Sequence, residues 1–306
     1  MIEPRIISLL PSGTEIVAAL GLGVHLVGRS HECDYPPEVE SLPVCSEPKY
    51  HSDGPSPEIN KAVRDILEGA LSIYTIDIDL IKSLKPTHII TQSLCEVCAV
   101  STGELQEALN EFATTESVSI IDLNPGDDGP IYADVLNLAS SLNVEEAGQR
   151  VFESMQGSFR KIMDKTQSFD GPRVAHIEWI EPLMVTGHWT YDLIDLLGAF
   201  NCFQSDMERW ISFKDLVKAD PEIIVIAPCG FGIERSQEDM HLLTKNTEWE
   251  WLLAVVCDRV YIADGHQYFN RSGPRLVDSA EILAEIYYPE LERKHEGTGW
   301  VKFEGK

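Results

Sequence analysis

Groups that could do chemistry cluster directly after short apolar runs in the first part of the chain. Ser12 follows the first such run, and His31-Glu-Cys-Asp34 followed by Tyr35-Pro-Pro37 comes after the second. Imidazole, carboxylate and thiol groups can move protons or bind a metal, and an aromatic ring offers a ligand a large contact area. Successive residues cannot all point the same way, so only part of this cluster can face one ligand. The candidates in this region are Ser12, His31, Glu32, Cys33 and Tyr35.

A cysteine pair, Cys95-Glu-Val-Cys98, follows the predicted strand Thr87–Gln92. Structural zinc sites take four nitrogen or sulfur ligands and usually draw them from two such pairs. Since the chain has one pair, a metal site would need further ligands. A redox pair normally opens a helix, whereas this pair lies in a polar loop. Thiols that are structural or contact a ligand are therefore favoured, a metal site is second and a redox pair third. The candidate metal ligands are Cys95, Cys98, His31 and His188.

Three further clusters lie in the second part of the chain. Glu178–Glu181 and Gly187-His-Trp189 flank a predicted strand pair, and Pro228-Cys-Gly-Phe-Gly232 follows a strand run. His188 either contacts a ligand or begins a helix with its ring bonded to the backbone, and Trp179 either lines a cleft or belongs to the core. Cys229 would be a nucleophile only as a thiolate, and its glycine neighbours also fit a plain turn. The candidates here are Glu178, Trp179, His188, Trp189, Cys229 and Phe231.

The stretch Tyr268-Phe-Asn-Arg-Ser-Gly-Pro-Arg275 combines two aromatic residues with two arginines in a strongly acidic chain. A guanidinium group can bind a carboxylate or a phosphate through two parallel hydrogen bonds. We assign a ligand-binding role to Arg271, with Tyr268 and Phe269 beside it. Arg275 is interpreted instead as a structural residue at a helix start, paired with a nearby acid such as Asp278.

The elements that must position these residues follow from the hydrophobic pattern. Apolar β-branched runs alternate with helix-period runs, which predicts parallel sheets covered by helices. The predicted strands are Arg5–Leu9, His25–Gly28, Thr87–Gln92, Val118–Asp122, Val174–Ile180, Glu222–Ala227 and Val260–Ile262. The predicted helices are Thr14–Leu20, Glu104–Phe112, Tyr191–Leu197, Phe213–Val217 and Leu276–Ile286. Because the carboxyl ends of parallel strands share one edge, the candidate residues are expected at one sheet edge in each lobe.

A length of 306 residues favours two lobes. We predict an α/β protein with an amino-terminal lobe at 1–130, a long linking helix at 131–167 and a carboxyl-terminal lobe at 168–306. Asn143 could divide the linking segment into two pieces. Each lobe is expected to hold a helix-flanked, mainly parallel sheet.

Charge and cysteine usage narrow the functional class. The 50 acidic and 24 basic residues give a net charge of −26, which opposes binding to nucleic acids and anionic membrane surfaces. No run approaches the ~18 apolar residues of a membrane span, so no membrane insertion is expected. The amino terminus shows no secretory signal, and the seven cysteines are an odd number. We therefore expect reduced thiols and a cytoplasmic location.

The motifs together resemble a known family. Pro11-Ser-Gly-Thr-Glu15 with Asp34-Tyr-Pro-Pro37, the strand motifs Leu84–Ile90 and Ala219–Val225, and Tyr268–Arg275 are similar to segments of ABC-importer substrate-binding proteins for vitamin B12 and iron–siderophores. The chain resembles a branch of that family that has no signal sequence and is described as cobalamin-binding. The resemblance covers nearly the whole length and implies the class III periplasmic-binding-protein fold, two α/β lobes joined by one rigid helix. It further implies that the ligand cleft is lined by Tyr35, Trp210, Tyr268 and Phe269.

The resemblance also bears on partners. The family docks on its permease through one carboxylate per lobe; Asp79 could fill that role in the first lobe, but Lys214 stands where the second is expected. Permease docking is therefore in doubt.

Three functional hypotheses remain open. The preferred one is a soluble binding protein that holds a corrinoid, such as cobalamin, or a metal chelate between its lobes, with no certain cofactor of its own. The second is an enzyme that uses the cysteine, histidine and glutamate groups of the same cleft. The third is a protein that binds a transition metal through its Cys/His set. We favour binding over catalysis.

Overall fold

The computed structural model describes residues 3–68, 73–92, 118–123, 133–203 and 209–305. The chain divides into two compact units. Unit 1 comprises Met1–Gly54 and Lys61–Met155, and unit 2 comprises Pro55–Asn60 and Gln156–Lys306. Within the described ranges, no helix combines the length and the apolar content that crossing a membrane requires.

A parallel sheet of four strands forms the centre of unit 1. Its strands are β1 (Ile6–Ser8), β2 (Leu26–Arg29), β5 (His88–Thr91) and β6 (Ser119–Asp122). The strand order is β2-β1-β5-β6, so β1 and β5 are central. Their isoleucines Ile6, Ile7, Ile89 and Ile90 are fully buried, as expected when helices and loops cover both faces of a parallel sheet.

The first part of the chain also forms helices and a small antiparallel sheet. The two strands of that sheet are β3 (Ser46–Pro48) and β4 (Tyr74–Ile76), which the sequence pattern did not predict. The helices of this part are α1 (Pro11–Ala19), α2 (Ser56–Glu68) and α3 (Ile78–Leu84).

Helix α1 follows β1 after a two-residue turn and packs tightly on the sheet. Its N-cap is Leu10, and Pro11 opens its first turn, where a missing backbone N–H is tolerated. Gly13 lies so close to the sheet that a Cβ there would be 2.8 Å from Cγ2 of Ile90. The backbone of α1 is therefore held against β5.

The segment 131–167, predicted as a linking helix, contains two helices in its described part. These are α4 (Asp134–Ser141) and α5 (Glu145–Thr166). They are separated at Asn143, whose φ of 57° lies in the left-handed region that asparagine tolerates. The division between the two units falls inside α5, after Met155.

A sheet of six strands forms the centre of unit 2. Its strands are β7 (Arg173–Trp179), β8 (Met184–Val185), β9 (Phe200–Asn201), β10 (Ile223–Ile226), β11 (Val260–Ala263) and β12 (Trp300–Lys302). The order is β12-β11-β10-β7-β8, and β9 also pairs with β7. The pairs that join β7, β10 and β11 are parallel, whereas β8 and β12 are antiparallel to their neighbours.

The helices of unit 2 pack around this sheet, and some of them contribute to a large apolar core on one of its faces. They are α6 (His188–Leu196), α7 (Phe213–Ala219), α8 (Ile233–Asp239), α9 (His241–Thr244), α10 (Leu253–Val256) and α11 (Leu276–Tyr287), with a π-helical turn at Gly265–Phe269. Ala175 and Ile177 of β7 belong to this core together with Trp249. Since side chains alternate along a strand, His176 and Glu178 lie on the opposite face of β7.

Candidate ligand-binding site

In unit 1 the loop after β2 carries the predicted His31-Glu-Cys33 cluster, and His31 packs against the small sheet. Its Nδ1 shares a hydrogen bond of 3.0 Å with the Ser46 hydroxyl, and its ring lies 5.2 Å from the Tyr74 ring. Burial lowers the pKa of His31 below its usual value of 6.5. His31 is therefore neutral near pH 7.

The thiol of Cys33 is enclosed in a polar pocket inside unit 1. The Thr14 hydroxyl donates to Sγ at 3.0 Å, and the Ser30 hydroxyl lies 3.2 Å from the same sulfur. Arg29 adds hydrogen bonds from Nη1 to the carbonyl oxygens of Ser30 and Cys33, both at 3.0 Å. These contacts tie the loop to α1 and give it a defined shape.

This loop presents an exposed aromatic side chain. Tyr35 is 43% exposed, whereas Glu32 is half-buried and its backbone N–H donates to the Ser30 hydroxyl. Ser12, inside α1, is buried. Of the unit 1 candidates whose placement is described, Tyr35 thus offers the largest accessible contact surface.

In unit 2 the candidates gather where the strand order reverses, between β7 and β10. Ligands of open α/β sheets bind outside the carboxyl ends of such neighbouring strands. The Cys229 backbone N–H donates to the Glu178 carbonyl at 3.0 Å, which joins the two strand ends. Next to this bond the rings of Trp179 and Phe231 lie 5.2 Å apart, and the Arg235 guanidinium lies 4.3 Å from the Phe231 ring centre. Three predicted residues, Glu178, Trp179 and Phe231, therefore meet in unit 2.

Glu178 is a buried carboxylate held by two donors. The Thr186 hydroxyl donates to Oε1 at 2.7 Å, and the Arg209 guanidinium donates to Oε2. Burial raises the pKa of Glu178, and the opposing effects of Arg209 and Thr186 do not fully cancel it. Gly187 makes room for this pair, because a Cβ there would lie 2.8 Å from Nε of Arg209.

Sequence reasoning missed His176 and Arg209. His176 is completely buried two residues before Glu178, its ring lies 5.0 Å from Phe269, and neither ring nitrogen has a hydrogen-bond partner among the described residues. Burial, aided by the positive charge of Arg209, lowers the pKa of His176 to about 3. The alternation in β7 could have placed His176 beside Glu178, but no local signal pointed to Arg209.

The carboxyl-terminal aromatic–arginine stretch packs onto α6 and α11. The Trp189 indole N–H donates to the Phe269 carbonyl at 3.0 Å, and the Ser279 hydroxyl donates to the Tyr268 carbonyl at 2.5 Å. Phe269 is buried and Tyr268 is half-buried. The guanidinium of Arg275 lies 5.6 Å from the Tyr268 ring centre, and its Nη1 donates to the Gln267 side chain at 2.8 Å.

Arg271 is 2% exposed and is bound within its own loop. Its Nε donates to the His266 carbonyl at 2.9 Å, and its Nη2 lies 3.1 Å from the His266 ring nitrogen Nε2. These contacts order the turn that precedes α11. The predicted ligand-binding role of Arg271 stays a prediction.

Trp210 is one of the exposed aromatic residues of unit 2. It is 45% exposed and pairs through its backbone with Met184 of β8.

Cys95, Cys98 and the predicted helix Glu104–Phe112 lie outside the described residues, as does the side chain of His188. The predicted metal set of Cys95, Cys98, His31 and His188 therefore stays a prediction.

A family model described as "Periplasmic binding protein" matches residues 6–266. The chain belongs to this family. Its fold is the two-lobed α/β fold that the sequence predicted. It resembles the apo form of the periplasmic heme-binding protein of Roseiflexus sp. RS-1 with a TM-score of 0.68 and 20% identity, over 94% of this chain and 98% of the other.

Two relatives bear the names of binding proteins. It is 26% identical over 300 residues to an ABC transporter substrate-binding lipoprotein of Bacillus subtilis, covering 94% of this chain and 81% of the relative. It is 24% identical over 291 residues to the vitamin B12-binding protein of Pectobacterium atrosepticum, covering 92% of this chain and 88% of the relative.

The predicted cytoplasmic location is wrong, because the family is that of periplasmic binding proteins and the Bacillus relative is a lipoprotein.

Proposed function

We propose that this periplasmic binding protein binds a corrinoid of the cobalamin type. The observation that carries the proposal is the exposure of two aromatic side chains, Tyr35 of unit 1 (43%) and Trp210 of unit 2 (45%). Aromatic side chains supply large contact area at low entropic cost, which suits a broad, flat ligand. The vitamin B12-binding protein of Pectobacterium atrosepticum supports this ligand class.

The buried polar groups of unit 2 support the same role. The Glu178–Arg209–Thr186 group and the Cys229–Glu178 backbone bond hold the ends of β7 and β10 in place. Because these bonds already fix the strand ends, less conformational entropy is lost when a ligand binds there.

The heme-binding structure of Roseiflexus makes heme the second ligand to test.

The test is a titration of the purified chain with hydroxocobalamin and, separately, with heme, followed by absorbance and tryptophan fluorescence. Hydroxocobalamin is expected to bind with one site per chain. Trp210→Ala should weaken binding about tenfold or more, because loss of a buried aromatic contact at an interface costs about 1.4 kcal/mol or more.

The matched control is Trp251→Ala. Trp251 is 73% exposed in the same unit. Two residues further on, the Leu253 N–H donates to the Asp220 side chain just before β10, so this segment lies near the amino end of that strand. Loss of Trp251 should therefore leave the affinity unchanged. Absence of hydroxocobalamin binding would refute the proposed ligand. An equal effect of the two substitutions on affinity would refute the proposed site. Binding of heme alone would keep the family role and replace the ligand.

A permease is the second proposed partner, supported by the ABC transporter name of the Bacillus relative. Asp79 is exposed in the first turn of α3 and supplies one carboxylate for docking. Lys214 is exposed in the first turn of α7, so a permease that docks there would need an acidic group opposite it.

A further inference from the structure

Unit 2 holds a compact set of metal-ligating side chains beside the aromatic–arginine stretch, with the His295 ring 6.3 Å from the Tyr268 ring. Asp278 and Glu281 lie one turn apart on α11, and His295 belongs to the loop before β12. One ligand atom from each of the three lies within 4.8 Å of the other two. Such spacing allows a single ion to contact all three side chains. We propose that Asp278, Glu281 and His295 bind one divalent ion of the zinc type.

A buried carboxylate outside this set orients the imidazole. Oε1 of Glu285 lies 2.8 Å from Nδ1 of His295, and the Trp300 indole N–H donates to Oε2 of Glu285 at 2.8 Å. Glu285 also accepts the His295 backbone N–H at 3.1 Å, so its place is fixed independently of the imidazole. An ionised carboxylate can only accept, so Nδ1 carries a hydrogen, and in a neutral imidazole this leaves the lone pair on Nε2. Histidine ligands of metals commonly donate their second nitrogen to a carboxylate in this way.

The local charge favours a cation. Two carboxylates one helical turn apart repel each other, and Lys294 offsets this in part, with Nζ 3.6 Å from Oε1 of Glu281. Lys294 is half exposed at its side chain and can move away into solvent. A divalent ion would neutralise both carboxylates and would cross-link α11 to the loop before β12.

The oxygen and nitrogen ligands of this set determine which metal ions suit it. Mg²⁺ and Ca²⁺ take oxygen ligands, whereas imidazole suits Zn²⁺ and its first-row neighbours. Three protein ligands leave a coordination position for water, as in tetrahedral zinc sites with three side chains. Zn²⁺ is therefore the ion to test, and Co²⁺ is its spectroscopic substitute.

The experiment measures Zn²⁺ bound to the full chain by equilibrium dialysis after the protein has been treated with a chelator. Wild type should bind one Zn²⁺ per chain. Glu281→Gln should lower the affinity for Zn²⁺ at least about tenfold, because loss of a residue that binds the metal directly costs at least as much affinity as loss of a residue that only supports such a ligand. Asp278→Asn is the second variant, and Glu290→Gln, an exposed carboxylate outside the set, is the control and should bind as wild type does. Circular dichroism and thermal unfolding show that each variant is folded.

Co²⁺ separates this site from a thiolate site elsewhere in the chain. A cobalt spectrum with d–d bands but no sulfur-to-metal charge transfer, lost in Glu281→Gln, supports the proposal. A charge-transfer band that persists in Glu281→Gln would assign the ion to cysteines and overturn it. Equal zinc affinity in Glu281→Gln and Glu290→Gln would overturn it as well. Neither result bears on hydroxocobalamin binding, which is measured separately.

Discussion

Two side chains on one face of β7 make opposite electrostatic demands. Glu178 is buried but accepts hydrogen bonds from Thr186 and Arg209, whereas His176 is buried without a hydrogen-bond partner among the described residues. A buried charge is tolerated when it is paired, and an unpaired group remains neutral instead. The contact with Arg209 therefore compensates in part for the burial of the Glu178 carboxylate. His176 has no such contact among the described residues, so burial keeps its imidazole uncharged.

The neutrality of His176 predicts a pH dependence of stability. Its pKa is about 3 in the folded chain, below the ordinary value of 6.5, so the unfolded chain binds more protons between these values. The contribution of His176 is therefore fully present above pH 6.5 and is lost as the pH falls toward 3. Between about pH 7.5 and 5.5, wild type should lose about 1.4 kcal/mol more unfolding free energy than His176→Leu. Urea denaturation at the two pH values measures this.

The control for that measurement is His51→Gln. His51 is exposed, so this variant removes an imidazole from the surface and leaves His176 in place. If His176→Leu kept the full slope, the acid sensitivity would belong to other groups, and the burial argument for His176 would fail.

At the scale of elements, α5 contains two glycines in contrasting surroundings. A Cβ on Gly148 would lie 2.3 Å from Cβ of Ala139 in α4, whereas nothing lies within 4 Å of a Cβ on Gly157. Gly148 therefore permits the close approach of α4 and α5 within unit 1, and Gly157 has no such role.

This contrast predicts opposite effects of one substitution. Gly148→Ala should lower the unfolding free energy by about 1–3 kcal/mol, because the helices must move apart. Gly157→Ala should raise it by up to about 1 kcal/mol, because alanine is the better helix former. Chemical denaturation of both variants measures the two values. A Gly148→Ala variant as stable as Gly157→Ala would contradict the close packing of α4 against α5.

For the whole molecule the dominant electrostatic fact is its net charge of −26. Such an excess of one sign destabilises the compact state through self-repulsion. Screening extends over about 30 Å at 0.01 M salt and about 8 Å at 0.15 M salt. The Tm should therefore rise when NaCl is increased between these concentrations, as measured by scanning calorimetry.

Tetramethylammonium chloride separates screening from specific cation binding. It should raise the Tm as NaCl does, because screening depends on ionic strength and not on the identity of the cation. A fall in Tm with salt would show that attractive pairs such as Lys302 with Asp258, 2.5 Å apart, outweigh the repulsion.

The central strands were largely predictable. The predicted strands at Val174–Ile180, Glu222–Ala227 and Val260–Ile262 match β7, β10 and β11 to within one residue at most ends. Buried parallel strands are continuous apolar runs, so their signal is local. The short strands β3, β4, β9 and β12 were not predicted, because two or three residues carry too little pattern.

By itself, the sequence determined the α/β class and the candidate loops that follow the strands, because apolar periodicity and turn residues act over a few neighbours. Only the tertiary structure decided that Glu178 meets Arg209, that Cys33 is enclosed by Thr14 and Ser30, and that His295 meets α11. The physical reason is that burial and hydrogen bonding depend on partners that the folded chain brings together from distant positions.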